Sequence, residues 1–171
     1  FTVCTSPLQL TPENLTDRTH IFKVISEDKS ANKDPSPASF NWTVDTVPPI
    51  ATINTVVDSN NSSLSNGSST ESKSITIGFS GNDTGVGVDK FECSLDNSNF
   101  TNCTSPVQSV NLTDGPHVFQ IKAQDKVGNA GVSTSSFRWT VDTTAPTTTI
   151  DSATDSHGKK IATGSNSSSD S

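Results

Sequence analysis

There is no methionine and no tyrosine in this chain of 171 residues, and hydrophobic residues make up only 29% of it. So small an apolar supply excludes one large core and approaches the composition of disordered chains. Basic residues are scarce too, with 11 Lys and Arg against 18 Asp and Glu and a net charge of -7. Lacking a basic stripe or an aromatic platform, the chain has nothing to release phosphate counterions or stack bases, which excludes nucleic acid as a partner. No apolar run is long enough to span a membrane, and no stretch carries the period of a helix of useful length. The only histidines are His20, His117 and His157, and no pair of carboxylates stands apart from turn-forming Asp residues. A catalytic cysteine or an acid–base pair is therefore not expected, and the chain reads as non-catalytic.

What is present is repetition. Phe40 to Pro49 reads FNWTVDTVPP and Phe137 to Pro146 reads FRWTVDTTAP. NLTD recurs at Asn14 and Asn111, His20 matches His117, Phe22 matches Phe119 and Asp28 matches Asp125, all at a separation of 97 residues. Upstream the separation is 99, pairing Cys4 with Cys103 and Pro7 with Pro106, so a two-residue length difference falls in between. A period near 100 residues is too long for a solenoid and suits a string of domains. Phasing predicts one complete unit at 50–146, the later part of a truncated unit at 1–49, and the poorly ordered start of a third at 147–171. On that phasing the chain is a piece of a longer string, and any targeting signal lies outside it. The 1–49 part, lacking its first strands, is expected to be poorly stable alone.

The apolar residues alternate, as half-buried strands require. Ile75, Ile77 and Phe79 share one face of Ser74 to Ser80, and Phe91, Cys93 and Leu95 share one face of Lys90 to Leu95. His117, Phe119, Ile121 and Ala123 do the same from Pro116 to Gln124, as do Phe137, Trp139 and Val141 from Ser135 to Asp142. With further strands at Ala51 to Val56, Phe100 to Cys103 and Val107 to Val110, the count is about seven per unit. The expected fold is all-β: tandem immunoglobulin-like β-sandwich repeats, one complete repeat flanked by two partial ones. Trp42 and Trp139 both point inward on this reading. Cys93 and Cys103 flank a polar hairpin connection, so a cross-strand disulfide is natural there, contributing roughly 2.5 to 3 kcal/mol by loop closure. Cys4 holds the place of Cys103, which makes it a cysteine whose partner precedes Phe1.

A sandwich of this topology sets the end of one unit against the loops of the next. Trp42 to Pro49 would then meet GNDTGVGVD (Gly81 to Asp89) and DKVGN (Asp125 to Asn129). Asp45, Asp83, Asp89 and Asp125, with Asn129, converge on one junction. Clustered carboxylates with amide and carbonyl oxygens suit calcium, which takes six to eight oxygen ligands. The other reading, which the residues favour over the metal, is that each Asp caps its own turn by accepting backbone N–H groups. Gly85, Gly87 and Gly128 lie in the same loops and are read as positions needing a positive φ.

Sequons occur at Asn14, Asn41, Asn60, Asn61, Asn66, Asn82, Asn99, Asn102, Asn111 and Asn166. With the cysteine pair they point to an oxidising, extracellular setting. Asp58 to Ser72 and Asp155 to Ser171 are Ser-rich and read as mobile surface loops.

The runs FECSLDNSNFTNCTSP, NLTDGPHVFQIKAQDKVGN and FRWTVDTTAP resemble the immunoglobulin-like repeats of large bacterial and archaeal surface proteins, adhesins among them. The most specific parts are the cysteine hairpin, the DG-x-H start of a strand, the D-x-x-GN loop and the WTVDT-x-AP link. The first unit departs from the pattern, with Arg18 for Gly115 and Ser30 to Asn32 for Val127 to Asn129. The resemblance implies a cell-surface stalk or spacer whose partners are neighbouring repeats of the same chain, in some relatives stiffened by calcium at the junctions. The alternative is a set of accessory modules on a secreted enzyme whose catalytic domain lies elsewhere.

Overall fold

Residues 1–11, 15–131 and 135–162 are described by a computed structural model of the chain. The sequons at Asn14 and Asn166, and the end of the Ser-rich tail beyond Ala162, lie outside the described residues. Ten strands run along the chain: β1 (Arg18–Val24), β2 (Ala38–Val44), β3 (Ile50–Asp58), β4 (Ser69–Thr70), β5 (Ile75–Asn82), β6 (Val88–Leu95), β7 (Thr101–Cys103), β8 (Val107–Ser109), β9 (Gly115–Asp125) and β10 (Ser135–Val141). There is no helix among the described residues. The strands form a hairpin β1–β2, a three-stranded sheet in the order β3–β5–β8, and a five-stranded sheet in the order β4–β10–β9–β6–β7.

Alternation explains how the two larger sheets meet. Ala51, Val56, Ile75, Ile77 and Phe79 from the three-stranded sheet form one buried cluster with Phe119, Ile121, Phe137, Trp139 and Val141 from the five-stranded sheet. Each large side chain so covered contributes about 1.5 to 3 kcal/mol, and together they make residues 50–141 a β-sandwich. Within β3 the inward parity changes from Ala51 and Ile53 to Val56 because the register against β5 shifts between Ile53 and Thr55. That bulge at Asn54 inserts one unpaired residue and turns the strand over. The Cys93–Cys103 disulfide joins β6 to its neighbour β7 with the Cα atoms 5.9 Å apart. Cys4 is exposed and free.

One expected loop is not loose. The Ser-rich stretch after Asp58 runs beside β10, where Gly67 and Asn66 clamp Arg138: the Gly67 N–H donates to the Arg138 carbonyl at 2.7 Å, and the Arg138 N–H donates to Asn66 Oδ1 at 2.7 Å. β4 then pairs with β10 in parallel. The polar sequence hides this addition because it is made almost wholly by backbone groups, which carry no residue signature.

The hairpin repeats the geometry of β9–β10. His20 faces Trp42 and Arg18 faces Val44, as His117 faces Trp139 and Gly115 faces Val141. Thr46 Oγ1 donates to Asp17 as Thr143 Oγ1 donates to Asp114. The Asp58 turn, whose Oδ1 accepts the Asn60 and Ser62 N–H groups, recurs at Asp155 with His157 and Lys159. The burial does not recur. Trp139 is 1% exposed, whereas Phe40, the counterpart of Phe137, is 66% exposed and Trp42 lines an open groove. The inward face expected for Trp42 has no opposing sheet, so the chain does carry an uncovered aromatic surface.

His117 is held from both sides. Its Nδ1 lies 2.7 Å from Asp96 Oδ2 and its Nε2 2.8 Å from the Thr113 carbonyl, two oxygens that only accept. Both ring nitrogens are thus best satisfied as donors, in the imidazolium form. Burial pushes the His117 pKa down, but the bond to Thr113 and the bond and charge of Asp96 outweigh it, leaving the pKa raised. The ring stacks on Trp139 at 5.5 Å between centroids.

Two outcomes follow. Trp139→Ala should remove roughly 3 to 5 kcal/mol from the sandwich, read as a fall in the urea midpoint; an unchanged midpoint would contradict the inward placement. Because the folded pKa of His117 is raised, its contribution is fully present below the ordinary histidine value and is lost as pH rises through the folded value. Thermal melting between pH 6 and 8 should therefore fall more steeply for the parent than for Asp96→Asn, and parallel curves would refute the clamp.

Candidate functional site

The link from β2 to β3 carries the first carboxylate. Asp45 is buried immediately after the last residue of β2, with its Oδ1 accepting the Val47 N–H at 3.1 Å. Its Oδ2 reaches across to the loop between β5 and β6, accepting the Val86 N–H at 2.8 Å. Its backbone carbonyl accepts from Asn129 Nδ2 at 2.9 Å, in the loop after β9. One residue of the link therefore holds two loops of the sandwich that follows. Pro49, farther along the link, is buried as well.

The loops present two more carboxylates at the same place. Asp83 Oδ2 accepts the N–H groups of Gly85 at 3.1 Å and Gly87 at 2.6 Å. Asp125 is 2% exposed; its Oδ1 accepts from Val127, Gly128 and Asn129 N–H, and its Oδ2 accepts from Asn129 Nδ2 at 2.7 Å. Burial pushes the Asp125 pKa up, but these bonds, led by the Asn129 side chain, more than offset it and hold the carboxyl below its ordinary value. Asp45, Asp83 and Asp125 each offer an oxygen within 4.8 Å of the others. No Lys or Arg forms an ion pair with any of the three among the described residues.

Four of the five residues expected at the junction thus come together: Asp45, Asp83, Asp125 and Asn129. Asp89 does not join them. It is exposed at the start of β6, where the register against β9 shifts between Val88 and Lys90, and it lines a separate surface groove with Asn102 and Thr104. That irregularity turns its side chain away from the loop, and spacing in the sequence cannot reveal it.

Both readings of these carboxylates find a physical footing. Five of the six carboxylate oxygens cap backbone or amide N–H groups, as turn-forming Asp residues do. The sixth, Asp83 Oδ1, is buried with no hydrogen-bond partner. Three carboxylates so close repel one another unless a cation or a proton intervenes, and the donor set is all oxygen, which suits a hard cation such as calcium.

Two of the three glycines in these loops sit as expected, with Gly87 at φ 86° and Gly128 at φ 100°. Gly85 has no positive φ. Glycine is required there by proximity, since a Cβ would fall on the Asp45 carboxylate. Gly131 was not singled out by its sequence, yet a Cβ on it would stand 2.6 Å from the Pro49 carbonyl. The link therefore lies directly on glycine backbone at two points. A glycine just after the D-x-x-GN loop was the available signal.

No protein-family model matches the chain, and no curated protein matches it either. Among solved structures, it is similar to the extracellular domain of a hybrid two-component system from B. thetaiotaomicron, with 16% identity and a TM-score of 0.47, over 68% of this chain. This chain spans 19% of that one, and a likeness of this degree carries no assignment of function.

Gly85→Ala should push Asp45 off the Val86 N–H and destabilise the seam by roughly 1 to 3 kcal/mol. Amide hydrogen exchange at Val86 is the readout, faster in the variant. Unchanged protection would show that Asp45 does not rest on this loop.

Proposed function

We propose that this chain is a non-catalytic structural module of an extracellular surface protein, a spacer built from immunoglobulin-like units of about 97 residues whose orientation is set at the seam around Asp45. The observation that carries this reading is the double grip of Asp45, carboxylate on Val86 and carbonyl on Asn129. A link held at two points, and lying on Gly85 and Gly131 with no room for a side chain, transmits direction from one unit to the next. Thr46 bound to Asp17 fixes the other side of the same link. The disulfide and the exposed sequons at Asn60, Asn61, Asn99 and Asn102 support an oxidising, extracellular setting.

Calcium at Asp45, Asp83 and Asp125 belongs to the same proposal. It would neutralise the mutual repulsion and engage the unpartnered Asp83 Oδ1, with Asn129 holding Asp45 and Asp125 in place. Stiffening follows because the ion would bridge the link and both loops.

Residual dipolar couplings of the whole chain test the spacer. The amides of β1–β2 and those of the sandwich should fit a single alignment tensor, and two independent tensors would overturn a rigid junction. Calorimetry with added calcium tests the ion separately: a saturable rise of several degrees in Tm is expected, reduced in Asp83→Asn. No rise in the parent would remove calcium while leaving the hydrogen-bonded seam intact.

A further inference from the structure

The turn ahead of β4 holds the one Asn-Gly pair in the sequence, Asn66–Gly67. That pair is chemically labile. With no Cβ beside it, the Gly67 nitrogen can reach the Asn66 carboxamide carbon and close a five-membered imide ring. The turn needs its glycine nonetheless, since the Ser68 N–H closes on the Ser65 carbonyl at 3.0 Å and Gly67 takes φ 87° within it. Asn66 itself is exposed to water.

Both reacting groups are held by one residue. The Gly67 N–H donates to the Arg138 carbonyl at 2.7 Å, and Asn66 Oδ1 accepts the Arg138 N–H at 2.7 Å. Beyond them the Thr140 N–H donates to the Ser68 carbonyl and the Asp142 N–H to the Thr70 carbonyl, so residues 66–70 satisfy the outer edge of β10. Ring closure is incompatible with this clasp, because the Gly67 nitrogen must give up the hydrogen that it donates to Arg138. An isoaspartyl product is incompatible as well. In it Oδ1 and the Gly67 nitrogen belong to one peptide group, and in a trans peptide the C=O and N–H point in opposite directions. Arg138 presents its N–H and C=O on the same edge of β10, so the two bonds cannot both be remade. An aspartyl product keeps its oxygens on a side chain and retains them.

We propose that Asn66–Gly67 is a deamidation site kept closed by the clasp of β4 on β10, and that its isoaspartyl product releases the edge of β10. The Gly67 nitrogen loses its proton to water and bonds to Asn66 Cγ; the Cγ–Nδ2 bond breaks, and Nδ2 takes up a proton and leaves as ammonia. Water then adds to one carbonyl of the ring. Opening at Cγ gives an aspartyl residue, and opening at the backbone carbonyl carbon of Asn66 gives the isoaspartyl one, with the main chain one carbon longer. The sum is an amide and water going to a carboxylate and ammonium, so no other reactant is needed. Release leaves unpaired N–H and C=O groups along β10, the condition in which a strand edge recruits another strand. The site depends on neither the spacer reading nor the cation at the seam.

The test is ageing of the whole chain, made without N-glycans, in mildly alkaline buffer beside a synthetic peptide of residues 59–73. Peptide mapping by mass spectrometry follows each Asn. Asn66 should be the first to react in the peptide and in the urea-unfolded chain, and should react roughly tenfold or more slowly in the folded chain. Equal rates in folded chain and peptide would overturn the closed site. Isoaspartyl chains are then separated after ageing in urea and refolded. Amide exchange at Arg138 should be roughly tenfold or more faster in them than in the parent, whereas Asn66→Asp keeps the parent's protection and Trp139 stays protected in all three. Arg138 protection intact in the isoaspartyl chain, or lost equally in Asn66→Asp, would overturn the release of the edge. Loss of protection throughout the sandwich would overturn it too, as global unfolding in place of an opened edge.

Discussion

Everything in this molecule depends on one requirement, that a strand with apolar residues on one side must find a second sheet to cover them. Where the requirement is met, between β3–β5–β8 and the five-stranded sheet, Trp139 and Phe119 are almost wholly buried and the chain forms a sandwich. Where it is unmet, on β1–β2, the same register and the same His–Trp stack stand at the surface beside an open groove. Both hairpins pair seven residues with the same register, although His117 has the Asp96 carboxylate as well as a backbone carbonyl and His20 is bonded to the Thr16 carbonyl. Burial is the larger difference between them, in keeping with the dominance of the apolar term over the net gain from hydrogen bonds.

Polar residues do a different job, which is to replace regular structure where the chain must turn. Asp28, Asp58, Asp125 and Asp155 each gather nearby backbone N–H groups into a turn. At the seam this habit acquires a second use, because Asp45 caps its own link with one oxygen and a foreign loop with the other. Three such caps brought within 4.8 Å concentrate negative charge in a partly dry place. A chain already at -7 gathers that charge at the joint between two parts, where an ion or a proton would alter its stiffness.

The backbone beneath those caps shows what substitution can and cannot do. Ala31 stands where the second loop has Gly128, and it takes φ 68° all the same, since the Asp28 cap on Ser30 and Asn32 holds the turn. Alanine in place of glycine at this position therefore leaves the turn in place and costs conformational strain instead. Gly85 is the opposite case, a glycine kept for space.

Alternation and repetition, both local in the sequence, were enough to determine the all-β class, the inward faces of β5, β9 and β10 and the Cys93–Cys103 pair, each of which depends on residue type at short spacing. The meeting of Asp45 with Asp83 and Asp125 was expected from the topology assumed for the sandwich, which named Asp89 with them. Only the tertiary structure decided that Asp89 turns outward at a bulge, that Asn54 inverts the parity of β3, that a polar stretch adds β4 beside β10, and that Gly85 is required by contact. All four are made by backbone groups or by the approach of distant segments, and such contacts leave no periodicity to read. The bare face of Phe22, Phe40 and Trp42 belongs with them: alternation says which way these side chains point, and only the packed structure says whether anything lies opposite.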